Sequence, residues 1–122
     1  MNNLKKYNKN IVIVTGGTGG HIYPALTLGK HLNKKFSNVN FITDLRGKKN
    51  ENLASLQPKI INVRGFVGKS YFQKIISIFL MFTSFLRILV FLKIKKADIV
   101  LGFGSYVQVP VILAAKILKI NI

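Results

Sequence analysis

The apolar residues of this chain fall into short runs separated by polar and glycine-rich breaks. Residues 11–15 (Ile-Val-Ile-Val-Thr) form a continuous β-branched run, the pattern of a parallel strand buried on both faces. A glycine-rich turn, Gly16–Gly20, follows, and the spacing then predicts a helix over Tyr23–Lys35 with Pro24 in its first turn. Ala25, Leu28 and Leu32 recur at helical spacing and are expected to face a sheet. Val39–Thr43 reads as a second strand ending at Asp44, Ile60–Val63 as a third and Asp98–Leu101 as a fourth. Leu113–Leu118 completes a helix behind a second glycine turn, and Ile120-Asn121-Ile122 reads as the opening of a fifth strand. Strands alternating with helices predict an α/β fold, a doubly wound parallel sheet with right-handed crossovers. No internal repeat, low-complexity tract or linker interrupts the pattern, and 122 residues leave room for one domain. A sequence that stops on the first residues of a central strand is expected to be part of a longer domain.

The stretch Ile75–Ile94 is the most apolar. Its 20 residues carry only Arg87 and Lys93 as charges, enough length to cross a hydrocarbon core of about 30 Å. On a helical wheel, Gln73, Ser77, Ser84, Arg87 and Lys95 gather in a narrow polar stripe interrupted by Leu80 and Phe91. A central arginine costs roughly 2.5–3.5 kcal/mol on insertion scales, and a spanning helix would split the sheet between two sides of a membrane. The sequence therefore favours a helix packed on the sheet with apolar surface left for a bilayer, for example at Phe82 and Phe85, over a pure core helix or a true span.

Composition narrows the chemistry. There is no cysteine, which excludes a disulfide framework, a thiolate metal site and a cysteine nucleophile. Two histidines and three acids (Asp44, Glu51, Asp98) make a metal cage an unattractive reading, and no metal or cofactor is expected. The net charge of +16 invites nucleic acid, yet only Arg46, Arg64 and Arg87 of the 19 basic residues are arginine, spread with no recognisable nucleic-acid motif. An anionic membrane surface is the better-supported partner. Met1–Asn10 lacks an apolar segment ending in a cleavage site, so a cytoplasmic address is expected.

The segment Thr15-Gly-Gly-Thr-Gly-Gly-His21-Ile-Tyr-Pro24 joins a buried strand to a helix. Such a turn aims free backbone N–H groups and the positive helix end at one spot, a setting for phosphate. Two nucleotide motifs fail here. A dinucleotide fingerprint starting at Gly17 would need a small residue where Ile22 stands. A phosphate-binding loop ending in Gly68-Lys69-Ser70 would need glycine where Val63 stands.

Gly16-Gly-Thr-Gly-Gly-His21, followed by Ile-Tyr-Pro24-Ala-Leu, resembles the first glycine loop of the MurG family of glycosyltransferases. Gly102-Phe-Gly-Ser-Tyr106-Val-Gln-Val-Pro110, behind Asp98-Ile-Val-Leu, is similar to the family's second loop, and Val63-Arg64-Gly65-Phe66 stands where the family carries an arginine–glycine segment. The second loop departs from the pattern: Ser105 and Val109 replace glycine and Gln108 replaces serine. The resemblance covers residues 11–122. It implies a Rossmann-like sheet, the N-terminal, acceptor-side domain of a two-domain GT-B enzyme, with the C-terminal donor-binding domain absent from 1–122. The implied reaction is inverting, metal-free transfer of N-acetylglucosamine from UDP-GlcNAc to the muramyl 4-hydroxyl of a polyprenyl-diphosphate-linked pentapeptide, in peptidoglycan synthesis. The enzyme would lie peripherally on the cytoplasmic face of the bacterial cell membrane.

By the same resemblance, Thr18, Gly19 and Gly20 contact UDP-GlcNAc, and the two loops (Gly16, Gly17, Gly102, Gly104, Ser105 and Tyr106) receive the acceptor diphosphate. His21 is the natural general base for the attacking hydroxyl; the alternative is a histidine that braces the loop. His31 is expected at the surface, Asp44 as a loop residue rather than a ribose ligand, and Tyr106 as either a hydrogen-bond donor or packing. A related glycosyltransferase with another acceptor, or a non-catalytic membrane-binding or partner module keeping the fold, are the other readings.

Overall fold

The computed structural model describes residues 5–63 and 68–122. Its elements alternate as expected: β1 (Tyr7–Thr15), α1 (Gly19–Lys35), β2 (Phe36–Asp44), a 3-10 turn (Gly47–Lys49), α2 (Glu51–Ala54), β3 (Lys59–Ile61), α3 (Tyr71–Ile94), β4 (Ile99–Gly102) and α4 (Gln108–Ile117). The strands form one parallel sheet in the order β3-β2-β1-β4. Asn121 bridges to Ile99 on the open side of β4, and its carbonyl accepts from Val100 N–H at 2.8 Å. The expected fifth strand thus begins in place, continuing the order found in doubly wound nucleotide-binding sheets.

β1 shows why both faces of the sheet are covered. Ile11 and Ile13 point to one side and join Ile22, Ala25, Phe41 and Leu53. Val12 and Val14 point to the other and join Ile88 and Leu92 of α3 with Val111, Ala114 and Ala115 of α4. Alternate residues of one strand therefore feed two cores, which is the reason the strand reads as an unbroken apolar run.

Several boundaries differ from expectation. α1 begins at Gly19, because the Thr18 carbonyl accepts from both His21 N–H and Ile22 N–H at 3.0 Å and winds the glycines into the first turn. Pro24 is consequently the sixth helical residue, and the carbonyl it cannot serve belongs to the exposed Gly20. Ala25 and Leu32 face the sheet as expected, but Leu26 rather than Leu28 packs against that core. β1 and β2 both start earlier, their exposed polar ends held by ladder pairing and by Tyr7 against Phe36, ring centroids 5.8 Å apart. β3 stops at Ile61, and the carbonyl of Asn62 accepts instead from Ser84 Oγ of α3 at 3.1 Å.

α3 is apolar on its outside. Its buried residues are Ser77, Ser84, Ile88 and Leu92, while Phe72, Ile78, Phe79, Phe82, Val90 and Ile94 are exposed. The polar stripe read from the sequence splits: the two serines turn inward, where their small side chains allow close approach, and Arg87 and Lys95 turn out. Phe82 is 57% exposed as expected, whereas Phe85 packs on the core. A Ser70–Gln73 capping box starts the helix. It is the helix among the described residues long and apolar enough to cross a membrane by length and composition.

Candidate functional site

The two glycine turns meet at the carboxyl ends of the neighbouring strands β1 and β4, the place where open α/β sheets bind ligands. Their contact is close enough to specify glycine. A Cβ on Gly16 would lie 2.3 Å from Ser105 Cβ, and one on Gly17 would lie 2.1 Å from Arg46 Cβ. The bare α-carbons of Gly16 and Gly17 therefore serve loop-on-loop packing. Gly20 faces open space, with nothing within 4 Å of a Cβ built there.

His21 stands between the loops. Its Nδ1 lies 2.6 Å from Thr18 Oγ1, and its Nε2 is 3.0 Å from the position a Cβ on Gly104 would take. Gly104 has φ +92°, so glycine is demanded there by conformation as well as by the ring. Thr18 is the N-cap residue of α1 but makes no side-chain cap, because its hydroxyl is engaged by the imidazole. The Gly19 and Gly20 N–H groups at the helix start are left for an incoming oxygen.

The second loop is held by side chains that the sequence presented as departures. Ser105 adopts φ +72°, and its Oγ accepts from Arg46 Nη2 at 3.1 Å. Gln108 Oε1 accepts from Gly104 N–H at 2.9 Å. Arg46 is itself fixed by Asp44, which is 3% exposed. Arg46 Nε and Nη2 donate to Asp44 Oδ2 at 3.1 and 2.8 Å, while the N–H groups of Arg46 and Gly47 donate to Oδ1 at 3.0 and 2.9 Å. Asp44 is thus the last, ladder-paired residue of β2 rather than the loop residue expected, and its carboxylate ties the end of that strand to the turn that follows. Its signal in the sequence was turn chemistry: an aspartate accepting from the N–H groups two and three residues on is an Asx turn.

Asp44, Arg46, Asn62, Lys69 and Tyr106 line a cleft of about 330 Å³ beside the second loop. A larger groove of about 580 Å³, bounded by Leu26, Val39, Phe41 and Leu56, lies between α1 and α2 and contains none of the loop residues. Among the described residues, no group of three metal-ligating side chains occurs, and Asp44–Arg46 is the one ion pair. His31 is exposed. Arg64, Gly65 and Phe66, named for their arginine–glycine resemblance, lie outside the described residues.

A parallel sheet ordered β3-β2-β1-β4 with helices on both faces defines a doubly wound α/β domain. Residues 11–122 match the glycosyltransferase family 28 N-terminal domain, and the chain belongs to that family. It is 40% identical over 118 residues to the UDP-N-acetylglucosamine–N-acetylmuramyl-(pentapeptide) pyrophosphoryl-undecaprenol N-acetylglucosamine transferase of Francisella philomiragia, covering 93% of this chain and 30% of that protein. The Pelagibacter ubique protein of the same name is 38% identical over 115 residues, 94% of this chain and 32% of the relative. The crystal structure of Acinetobacter baumannii MurG superposes with a TM-score of 0.73 at 30% identity, over 92% of this chain and 33% of that one. The chain therefore spans about a third of the length of the relatives it matches.

Proposed function

We propose that this chain is the acceptor-side part of an inverting N-acetylglucosaminyltransferase that uses UDP-GlcNAc and a polyprenyl-diphosphate-linked muramyl pentapeptide. The observation that carries the reading is His21, held by Thr18 on one edge and facing Gly104 of the opposite loop with the other. In this reading the acceptor 4-hydroxyl lies in the gap between the loops. Its proton passes to His21 Nε2 as its oxygen attacks the anomeric carbon, the bond to UDP breaks, and the configuration inverts. Thr18, Gly19 and Gly20 contact the donor. The N–H groups of the two glycine turns, with Ser105 and Tyr106, take the acceptor diphosphate. A second domain holds the rest of the nucleotide and brings it into line.

The outward face of α3 supports a peripheral place on the cytoplasmic side of the cell membrane. Phe72, Phe79 and Phe82 are exposed there, with Lys74, Arg87, Lys93, Lys95 and Lys96 at the surface of the same helix and its end.

The test is His21→Ala in the full-length enzyme, with transfer followed from labelled UDP-GlcNAc. Turnover should fall about a hundredfold or more while donor affinity changes little. Near-normal turnover would leave His21 a brace for the loop.

A further inference from the structure

Thr18 occupies an unusual position for a helix cap. Its hydroxyl does not reach a backbone N–H of the first turn but contacts the His21 ring three residues on. The His21 backbone N–H is already satisfied by the Thr18 carbonyl at 3.0 Å, so backbone and side chain of one residue both bind the next turn. The histidine is thereby fixed at two points, and its ring has little freedom to turn away from Gly104.

We infer that Thr18 is the positioning residue that sets the tautomer of His21, accepting a hydrogen bond from Nδ1–H so that the lone pair of Nε2 faces the gap between the glycine loops. The inference rests on the reading of His21 as the base. Two arrangements fit the 2.6 Å contact. If the hydroxyl donates to Nδ1, the ring proton sits on Nε2 and the histidine can accept nothing from an acceptor hydroxyl. If Nδ1–H donates to the hydroxyl oxygen, Nε2 is free to take a proton, and the hydroxyl hydrogen must find another acceptor. Thr18 is exposed at the mouth of the loop beside the open side of Gly20, so an oxygen of bound UDP-GlcNAc can supply that acceptor. Donor binding then selects the base-competent form. The threonine hydroxyl then donates its hydrogen bond to the sugar nucleotide. Nδ1 takes a proton from solvent and donates it in a hydrogen bond to the threonine oxygen, and Nε2 releases its proton to solvent, so the ring stays neutral. One residue couples occupancy of the donor site to readiness of the base.

The experiment compares Thr18→Val, which keeps the shape and removes the hydroxyl, with Thr18→Ser in the full-length enzyme. Thr18→Val should lower kcat at least about tenfold with a smaller change in the donor KM, and Thr18→Ser should restore most of the rate. In the His21→Ala background, Thr18→Val should add almost nothing, because the two residues act as one unit. Nitrogen-15 spectra of the labelled imidazole, with UDP-GlcNAc bound, should show His21 protonated at Nδ1 in the native enzyme and in Thr18→Ser. In Thr18→Val the Nε2–H form preferred by free histidine should return. A Thr18→Val enzyme whose defect lies wholly in donor KM, a fully additive double variant, or an Nε2–H ring in the native donor complex would each overturn the inference. If His21→Ala loses turnover and Thr18→Val does not, this inference falls and the base survives; if His21→Ala keeps turnover, both fall.

Discussion

Replacing Asp44 tests how the site is held together. In Asp44→Ala, the buried Gly47 N–H and the Arg46 N–H lose their acceptor, and the Arg46 guanidinium loses its anchor. An orphaned buried donor costs about 1–3 kcal/mol. The partly buried second donor adds less. The Arg46 side chain is 57% exposed, so its half of the ion pair can turn to water and contributes little. The expected loss is about 2–4 kcal/mol. Asp44→Asn keeps an oxygen for the two N–H groups and gives up the charge, so its loss should be about 1 kcal/mol. The chain has no tryptophan, and urea unfolding followed by far-UV circular dichroism gives the comparison. Equal losses for the two variants would refute the reasoning, because the backbone donors would then carry none of the difference. A loss in Asp44→Ala below about 0.5 kcal/mol would show that the Asx turn re-forms around water.

Two further outcomes follow from other parts of the molecule. Binding to vesicles containing anionic lipid should exceed binding to neutral ones and weaken with salt, and Phe79→Ser with Phe82→Ser should reduce it at least about tenfold; equal binding to both vesicles would remove the electrostatic part. Thr43 Oγ1 is buried with no hydrogen-bond partner among the described residues, so Thr43→Val should raise stability by about 1 kcal/mol in the same urea assay, and a loss of that size would mean the hydroxyl is satisfied in solution.

The inner strands and the long helix were legible because apolar runs report burial directly. Ile11–Val14 and Phe41–Ile42 could be placed from side-chain type alone, and so could the start of a fifth strand at Asn121. The start of α1 was not legible, since glycine disfavours helix and the deciding group is a backbone carbonyl, that of Thr18. The early starts of β1 and β2 were hidden for a related reason: Asn8, Lys9 and Ser37 look like loop residues, and the pairs on either side of them, Tyr7 with Phe36 and Asn10 with Asn38 across a register shift, hold them extended. In α3 the pattern gave the helix but not its orientation, because small serines can pack inward as well as face water. At the site, the motif pointed to His21, whereas Arg46 acts by reaching Ser105 in a segment far away in sequence. Asp44 and Gln108 act through short-range bonds to the Gly47 and Gly104 N–H groups that their residue types alone do not single out. Ser105 was visible as a member of the second loop that departs from its glycine pattern, and the hydrogen bond from Arg46 that accompanies its left-handed backbone requires the fold.

Helix α1 ends at Lys35 and strand β2 begins at Phe36 with no connecting residue. The 17-residue helix reaches about 25 Å, and the nine-residue strand returns about 30 Å. Outward and return legs nearly match, so Asp44 and Arg46 arrive back beside Gly17, where the excursion began. Such a joint acts like a folded ruler with no slack at the hinge. Inserting one residue into the helix would swing everything beyond it by about 100°. Inserting one into the strand would turn its side chains to the opposite face of the sheet. Neither error could be absorbed at the junction. The spacing from His21 to Asp44 is therefore a mechanical dimension of the site, set by the lengths of the helix and the strand that join them.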